Sequence, residues 1–346
     1  MRDLNLPTEG HLSTHAAEKV VIEAATGAFD TAAIKLNHDW GTTLDGKQVQ
    51  RWSERIGTHA VERRERELIA LEKRNVIPPC KANEHELLVI GMDGGRVQTT
   101  VKNQDGTRWR EDKVVTVTSY VSGTKTRGGE PQKLVSSHLA TMQAVEKFGR
   151  LARLEAERRG IRQAQQVIVM GDGAPWIDGV ADKHFPSAQR IVDWYHAVEH
   201  LNEAAKAAYP QEEPQSRMLA DGWETMLWEG RFDELMSGLR KEAARAGVPP
   251  KDAPDNDPRE VLRKAVNYFA QRRDRMDYPR YRKNGWPIGS GVTESGVKLY
   301  NKRVKGTEQF WNLDGVESIL QLRSEWLSDS KELHHRLWPP PQQKAA

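Results

Sequence analysis

Cysteine is almost absent from this chain of 346 residues, in which Cys80 is the only one. A disulfide framework is therefore excluded, and so is a zinc site built on several cysteines of this chain. No stretch approaches the run of about 18 apolar residues that indicates a transmembrane helix, and the opening MRDLNLPTEG lacks the apolar core of a signal peptide. We therefore expect a soluble cytoplasmic protein without a membrane partner.

An excess of charge of one sign is also missing, because 52 basic and 49 acidic residues leave a net charge of only +3. Lys and Arg are nevertheless concentrated in short segments, at 63–66, 158–162, 272–275, 280–283 and 302–305. Such clusters neutralise phosphates in nucleic-acid-binding proteins, and they also occur as solvated faces of helices. Both interpretations stay open for each cluster.

The first part of the chain predicts short helices. Residues 1–10 are expected to be a tail, and residues 11–60 contain helices separated by glycine-bearing turns, the third running from Asp45 to Gly57. This pattern is typical of a helix-turn-helix region, although a plain helical subdomain or a dimerisation element gives the same pattern. In the first case the third helix presents the following side chains to DNA: Lys47, Gln48, Gln50, Arg51 and Arg55. Residues 61–83 are predicted to be a helical linker.

From residue 84 the pattern changes to short apolar or alternating runs. Three sequential strands are predicted in ELLVIGMD, GRVQTTVK and DKVVTVTSYVSG, followed by a helix from about Ser137 to Arg159. QQVIVMGDGA then predicts a buried strand, and AQRIVDWYH a short strand that leads into a helix. We expect residues 84–205 to be the first part of an α/β core, 206–283 an all-α insertion, 284–335 the rest of the core and 336–346 a disordered tail.

An aspartate followed by glycine ends two of the apolar runs, at Asp93 and at Asp172. Ligands of α/β proteins often lie at the carboxyl ends of strands, and glycine there leaves room for a metal ion or a substrate backbone. Carboxylate oxygens suit hard cations such as Mg²⁺ and Mn²⁺. An aspartate in this position is also common as a cap or turn former, so this alternative stays open.

Two further motifs carry side chains of chemical interest. In DWYHAVEH, the spacing puts Asp193, His196 and His200 on one helix face, which fits either a metal site or a polar helix entry with Asp193 as the N-cap. In GWPIGSGVTESGVK, a glycine-rich loop leads to Glu294 in the first turns of a helix. The helix dipole favours a glutamate there whatever its function.

Taken together, these segments resemble bacterial insertion-sequence transposases of the DDE type, over roughly residues 10–330. GMDGG is similar to the first-aspartate block of that family, 167–200 to the second-aspartate block with its Asp-x-x-His element, and GSGVTESGVK to the glutamate block. The resemblance implies an RNase H-like mixed sheet flanked by helices, an all-α insertion before the glutamate, and an N-terminal helix-turn-helix that binds the element ends.

The resemblance also implies roles for individual residues. Asp93, Asp172 and Glu294 match the metal-binding catalytic triad, with Mg²⁺ or Mn²⁺ as the cofactor and two ions in the site. Asp193 and His196 match an accessory motif that positions DNA or the active site. The implied reaction is hydrolysis at the element end, after which the freed 3′-hydroxyl attacks target DNA. Basic side chains of the glutamate-bearing segment are expected to contact DNA, namely Lys298, Lys302, Arg303 and Lys305.

The expected partner is therefore double-stranded DNA, both element ends and target, bound by a homo-oligomer in a bacterial nucleoid. Three other interpretations stay open. Another RNase H-like nuclease would cut DNA without joining it, a domesticated transposase would bind DNA without catalysis, and a helical scaffold would have no affinity for DNA.

Overall fold

The computed structural model describes residues 12–78, 87–306 and 309–328. The predicted tails at 1–10 and 336–346 lie outside these residues, as does the end of the predicted linker at 79–83. Within the described ranges, no helix is both long enough and apolar enough to cross a membrane.

Three helices form the N-terminal region: α1 (Thr14–Thr26), α2 (Phe29–Trp40) and α3 (Gly46–Arg74). Helix α3 begins as predicted, because the Asp45 side chain accepts the backbone N–H of Gln48 while the Gln48 side chain accepts that of Asp45. The predicted end at Gly57 is wrong, since α3 continues to Arg74. Gly57 instead allows close approach to the last helix of the chain, where an added Cβ would lie 2.7 Å from atoms of Ser318.

A five-stranded mixed sheet forms the core, from β1 (Leu87–Gln98), β2 (Trp109–Val121), β3 (Gln132–Thr141), β4 (Gln166–Gly171) and β5 (Gln189–Val192). The strand order is β3-β2-β1-β4-β5. The first three strands are antiparallel neighbours, whereas β4 runs parallel to β1 and β5 parallel to β4. This order and orientation, with helices on both faces, confirms the predicted RNase H-like fold.

Two predicted boundaries within the sheet are wrong. The predicted first and second strands merge into β1, because Gly94 and Gly95 stay paired with Lys113 and Asp112 of β2. β1 ends at Gln98, before the last residues of the run GRVQTTVK. Residues 137–141, predicted as the start of a helix, belong to β3, and the helix starts only at Val145. Pairing along β2 gives this segment ladder hydrogen bonds that outweigh its helical pattern.

Helices cover both faces of the sheet: α4 (Val145–Arg158), α5 (Pro175–His184), α6 (Trp194–Ala208), α11 (Gly291–Val304) and α12 (Leu313–Ser328). Side chains alternate along β1, so Ile90 and Met92 pack against α4 and α5. On the opposite face, Val89 packs in the cluster that contains α6, and Val97 in the cluster formed with α11 and α12.

Between α6 and α11 the chain forms the helices α7 (Glu213–Glu229), α8 (Phe232–Ala246), α9 (Pro258–Arg272) and α10 (Tyr278–Lys283). Residues 206–283 contain no strand, as predicted for the insertion. Their apolar side chains share one core cluster with α6, so the insertion packs directly on the helix that follows β5.

Candidate active site

Asp93 and Asp172 lie level with each other on neighbouring parallel strands. Gly91 of β1 pairs with Met170 of β4, and continuing this register by two residues sets Asp93 beside Asp172. Neighbouring strands lie about 4.8 Å apart, and level residues point to the same face. Asp172 follows the end of β4 as predicted. Asp93 lies inside β1 rather than at its end, because β1 continues past β4 in its pairing with β2.

Each of these aspartates holds a backbone N–H group with one carboxylate oxygen. Asp93 Oδ1 accepts from the N–H of Gly94 at 2.7 Å, and Asp172 Oδ1 accepts from that of Ala174 at 2.8 Å. Asp172 therefore stabilises the turn into α5, as expected if this aspartate is a cap or turn former. Because an ionised carboxylate has about four acceptor sites, this turn-forming role is compatible with a ligand role.

Helix α9 of the insertion holds the backbone that follows β4. The hydroxyl of Tyr268 donates to the carbonyl of Asp172 at 2.8 Å, and the guanidinium of Arg272 donates to the carbonyl of Gly173 at 2.9 and 2.7 Å. The ring of His200 on α6 lies 4.0 Å from that of Tyr268, and burial lowers the pKa of His200. The insertion thus supports the position of Asp172 directly.

Asp193 is completely buried and joins α6 to the loop that precedes Glu294. Its Oδ1 accepts the backbone N–H groups of Tyr195 and His196 at 2.6 and 3.1 Å, which confirms the N-cap interpretation. Its Oδ2 accepts the backbone N–H of Ser290. Both oxygens of Asp193 are therefore engaged within the protein, and they link the start of α6 to the loop at Ser290.

Glu294 lies in the first turn of α11, whose N-terminal end is fixed against the sheet. The hydroxyl of Thr293 lies 2.7 Å from that of Thr116 on β2. An added Cβ at Gly91 would overlap the Thr293 hydroxyl, so this close approach requires glycine there. Gly91 and Asp93 point to the same face of β1, which is the face that α11 covers.

The electrostatics of Asp93 place the three predicted carboxylates in one neighbourhood. Burial is the largest cause that raises the pKa of Asp93, and the negative charges of Asp172 and Glu294 raise it further. The N–H of Gly94 and the nearby His196 act in the opposite direction. Within the described part of the chain, however, no three Asp, Glu, His or Cys side chains converge closely enough to hold one ion. The carboxylates are neighbours without forming a closed ligand shell.

A fourth carboxylate, Asp112 of β2, lies on the same face and is not predicted by the sequence. It pairs with Gly95, where an added Cβ would lie 2.6 Å from its Oδ1. Asp112 is 0% exposed, and neither oxygen has a hydrogen-bond partner among the described residues. Burial raises its pKa to about 6, with Glu111 and Asp93 adding to the rise and Lys113 opposing it. In the sequence, the glycine pair in GMDGG is the one feature that indicates room for the Asp112 side chain, because Gly95 has no Cβ.

The predicted DNA-contacting residues of α3 have unequal exposure. Lys47, Arg51 and Arg55 are exposed, and their spacing of four residues puts them on one face of the helix. Gln48 belongs to the capping box, and Gln50 donates to Glu54 at 2.8 Å. A basic face therefore exists at the start of α3, whereas the two glutamines already have partners within the helix.

At the end of α11, Lys298, Lys302 and Lys305 are exposed. The expectation of a DNA contact is wrong for Arg303, which is only 3% exposed. Its Nε donates to the carbonyl of Ala24 at 2.5 Å, and its guanidinium lies 4.8 and 5.2 Å from the ring centroids of Phe29 and Trp311. Arg303 instead joins the N-terminal helices to the core.

Arginines of the other basic clusters also take part in packing. Arg64 of α3 is 1% exposed and donates to Gln321 at 2.8 Å and Glu317 at 2.9 Å, both on α12. Arg158 of α4 pairs with Glu67 of α3 at 2.6 Å. These clusters therefore hold helices together as well as carrying charge.

A groove of about 400 Å³ opens beside Glu294, between α6 and the start of α11. Its lining side chains are Tyr195, His196, Val198, Glu199, Asn202 and Glu294. The structure thus brings the predicted accessory residue His196 and the predicted catalytic Glu294 to one accessible surface.

Comparison with known proteins gives a structural likeness but no match in sequence. No family model matches the chain, and no curated protein matches it. It is similar to a solved chain described as "Drosophila P element transposase strand transfer complex", with 8% sequence identity, 94% of each chain covered and a TM-score of 0.39. The fold assignment rests on the strand order and the site on the contacts described above, since a likeness at this score supports neither.

Proposed function

We propose that this protein is a metal-dependent DDE transposase, which cleaves the ends of a DNA element and joins the freed 3′-hydroxyl to target DNA. The observation that supports this most is the register between β1 and β4, which sets Asp93 level with Asp172. Glu294 stands on the helix that covers the same face, and its charge acts on Asp93. Three acidic residues distant in sequence thus lie in one neighbourhood on the same face of the sheet, without forming a closed ligand shell.

The chemistry of these residues fits Mg²⁺ or Mn²⁺. Carboxylate oxygens are the ligands that such cations prefer, and a cation would relieve the repulsion that helps to raise the pKa of Asp93. We assign Asp93, Asp172 and Glu294 as the residues that would hold two ions. When bound, such ions activate the attacking oxygen and stabilise the leaving oxygen of a phosphodiester.

The protein's own contribution is to keep the carboxylates in place. Asp193 holds the loop at Ser290 and thereby the start of the helix that carries Glu294. Tyr268 and Arg272 hold the backbone at Asp172. A site whose supporting contacts are preformed needs little reorganisation when the reaction occurs.

The proposed partner is double-stranded DNA, both element ends and target. The exposed lysines on α11 and the basic face at the start of α3 suit contacts with phosphates. Since two ends must be joined to one target, we propose that the protein acts as a homo-oligomer on DNA in the bacterial nucleoid.

A strand-transfer assay tests this function. Purified protein is incubated with labelled duplexes from the flanks of its gene, a plasmid target, and Mg²⁺, Mn²⁺ or EDTA. The proposal expects metal-dependent nicking and covalent joining to the plasmid. Nicking without joining would identify a nuclease, binding without nicking a non-catalytic DNA-binding protein, and no binding a scaffold.

A further inference from the structure

Tyr195 is a large aromatic side chain that lies exposed in the groove beside Glu294. It is 64% exposed, although it directly follows the buried Trp194 at the start of α6. A tyrosine ring combines a large apolar face with a polar hydroxyl, which is why tyrosine is enriched at binding interfaces.

The backbone of Tyr195 and one side of its ring each have a defined contact. Its backbone N–H donates to the buried carboxylate of Asp193 at 2.6 Å. On the other side the ring lies against the backbone at Gly289, where an added Cβ would lie 2.7 Å from Cε2 of Tyr195. Glycine at 289 thus lets the loop before Glu294 support one side of the ring. The result is an aromatic surface, supported on one side, next to the proposed catalytic glutamate.

The charges around the groove indicate which part of a DNA strand fits. Glu294 lies 3.6 Å from Nζ of Lys298, and Glu199 lies 3.6 Å from Nδ1 of His196, so each carboxylate has a basic neighbour. A nucleobase is uncharged and offers a flat face to the ring of Tyr195, while the neighbouring phosphate can lie beside Lys298. Aromatic side chains bind bases of any sequence by stacking, and a groove of about 400 Å³ is within the range of small-ligand sites.

We propose that Tyr195 stacks on an unpaired nucleobase next to the phosphodiester that is cut. This inference rests on the proposed transposase function and adds a substrate subsite to it. The ring would hold the base away from its complement, which brings the neighbouring phosphate towards Glu294. Unpairing is least costly where the base has already lost its partner.

An abasic scan tests the stacking directly. Single-turnover cleavage is measured on end duplexes that carry one abasic nucleotide at each position near the cut. The proteins are wild type, Tyr195→Ala, Tyr195→Phe and the control Met218→Ala, whose side chain is 73% exposed on α7. Loss of the ring should slow cleavage of the intact duplex on the order of tenfold, and Tyr195→Phe should recover most of that loss.

The decisive result is how the difference in cleavage rate between wild type and Tyr195→Ala depends on the position of the abasic nucleotide. At one position, removal of the base should abolish the difference between wild type and Tyr195→Ala, because no base is left to stack. If Tyr195→Ala slows cleavage equally on all abasic duplexes, or does not slow it on the intact duplex, the inference is overturned. Cleavage by wild type would still support the proposed transposase function. If wild type cuts no duplex, the proposed function itself fails and the inference with it.

Discussion

Oδ2 of Asp193 accepts the backbone N–H of Ser290, across 97 residues of sequence. Ser290 precedes the helix that carries Glu294, while Oδ1 of the same carboxylate caps α6. One buried side chain therefore sets the relative position of the two helices that border the groove. The two polar residues of the Asp-x-x-His element therefore have different positions. Asp193 holds the loop before the helix that carries Glu294, and His196 lines the groove.

Asp193→Asn should separate this positioning role from simple helix capping. The amide nitrogen would face an N–H donor, so we expect a loss of about 1–3 kcal/mol in the free energy of unfolding and slower DNA cleavage. Urea unfolding and single-turnover cleavage measure the two effects. Asp257→Asn is the matched control, because Asp257 caps α9 away from the groove and asparagine caps nearly as well. Wild-type stability and cleavage in Asp193→Asn would contradict the role.

Asp112→Asn should stabilise the protein at neutral pH. The folded-state pKa of about 6 lies above the ordinary value of 3.8, so folding takes up a proton between these values. The free energy of unfolding therefore falls as pH rises through this window and stays lower above it. The neutral amide avoids this loss, and we expect a gain of about 3 kcal/mol at pH 7.5 that largely disappears near pH 4. Urea unfolding across this range checks it, and destabilisation at pH 7.5 would contradict it.

Lys302 and Arg303 should behave differently although they are neighbours in sequence. Lys302 is exposed, whereas Arg303 is buried between Phe29 and Trp311 and burial lowers its pKa to about 10. Lys302→Met should reduce the slope of log K against log salt for DNA binding by about one. Arg303→Met should leave the slope unchanged, once circular dichroism shows that it is folded. If Arg303→Met reduces the slope of log K against log salt, Arg303 contacts DNA after all.

The sequence predicts the second-aspartate block most completely. QVIVMG is a short apolar run buried between two parallel neighbours, so both its strand character and the position of Asp172 follow from local pattern. Asp193 is likewise recognisable as an N-cap. Its contact with Ser290 is not, because the partners are 97 positions apart in the sequence and the helical insertion lies between them.

The rest depends on contacts between distant segments. Gly94 and Gly95 look like a strand end, yet β2 pairs with both and continues β1 past Asp93. Gly57 looks like a helix end, yet it is the point where α3 approaches Ser318. Arg303 looks like part of a basic surface, and only the folding of α1 and α2 against α11 buries it. In each case the local sequence pattern predicts one role for the residue, and a contact with a distant segment gives it another.

Cleavage by carboxylate variants tests the central claim most directly. Asp93→Asn, Asp172→Asn and Glu294→Gln are compared with wild type and with Asp221→Asn, an exposed aspartate on α7. In Mg²⁺ or Mn²⁺, each triad variant should lose at least about a hundredfold in the cleavage rate while binding end DNA like wild type, and Asp221→Asn should cleave normally. Near-native cleavage by any triad variant would contradict the assignment of that residue, and near-native cleavage by all three would contradict the active site.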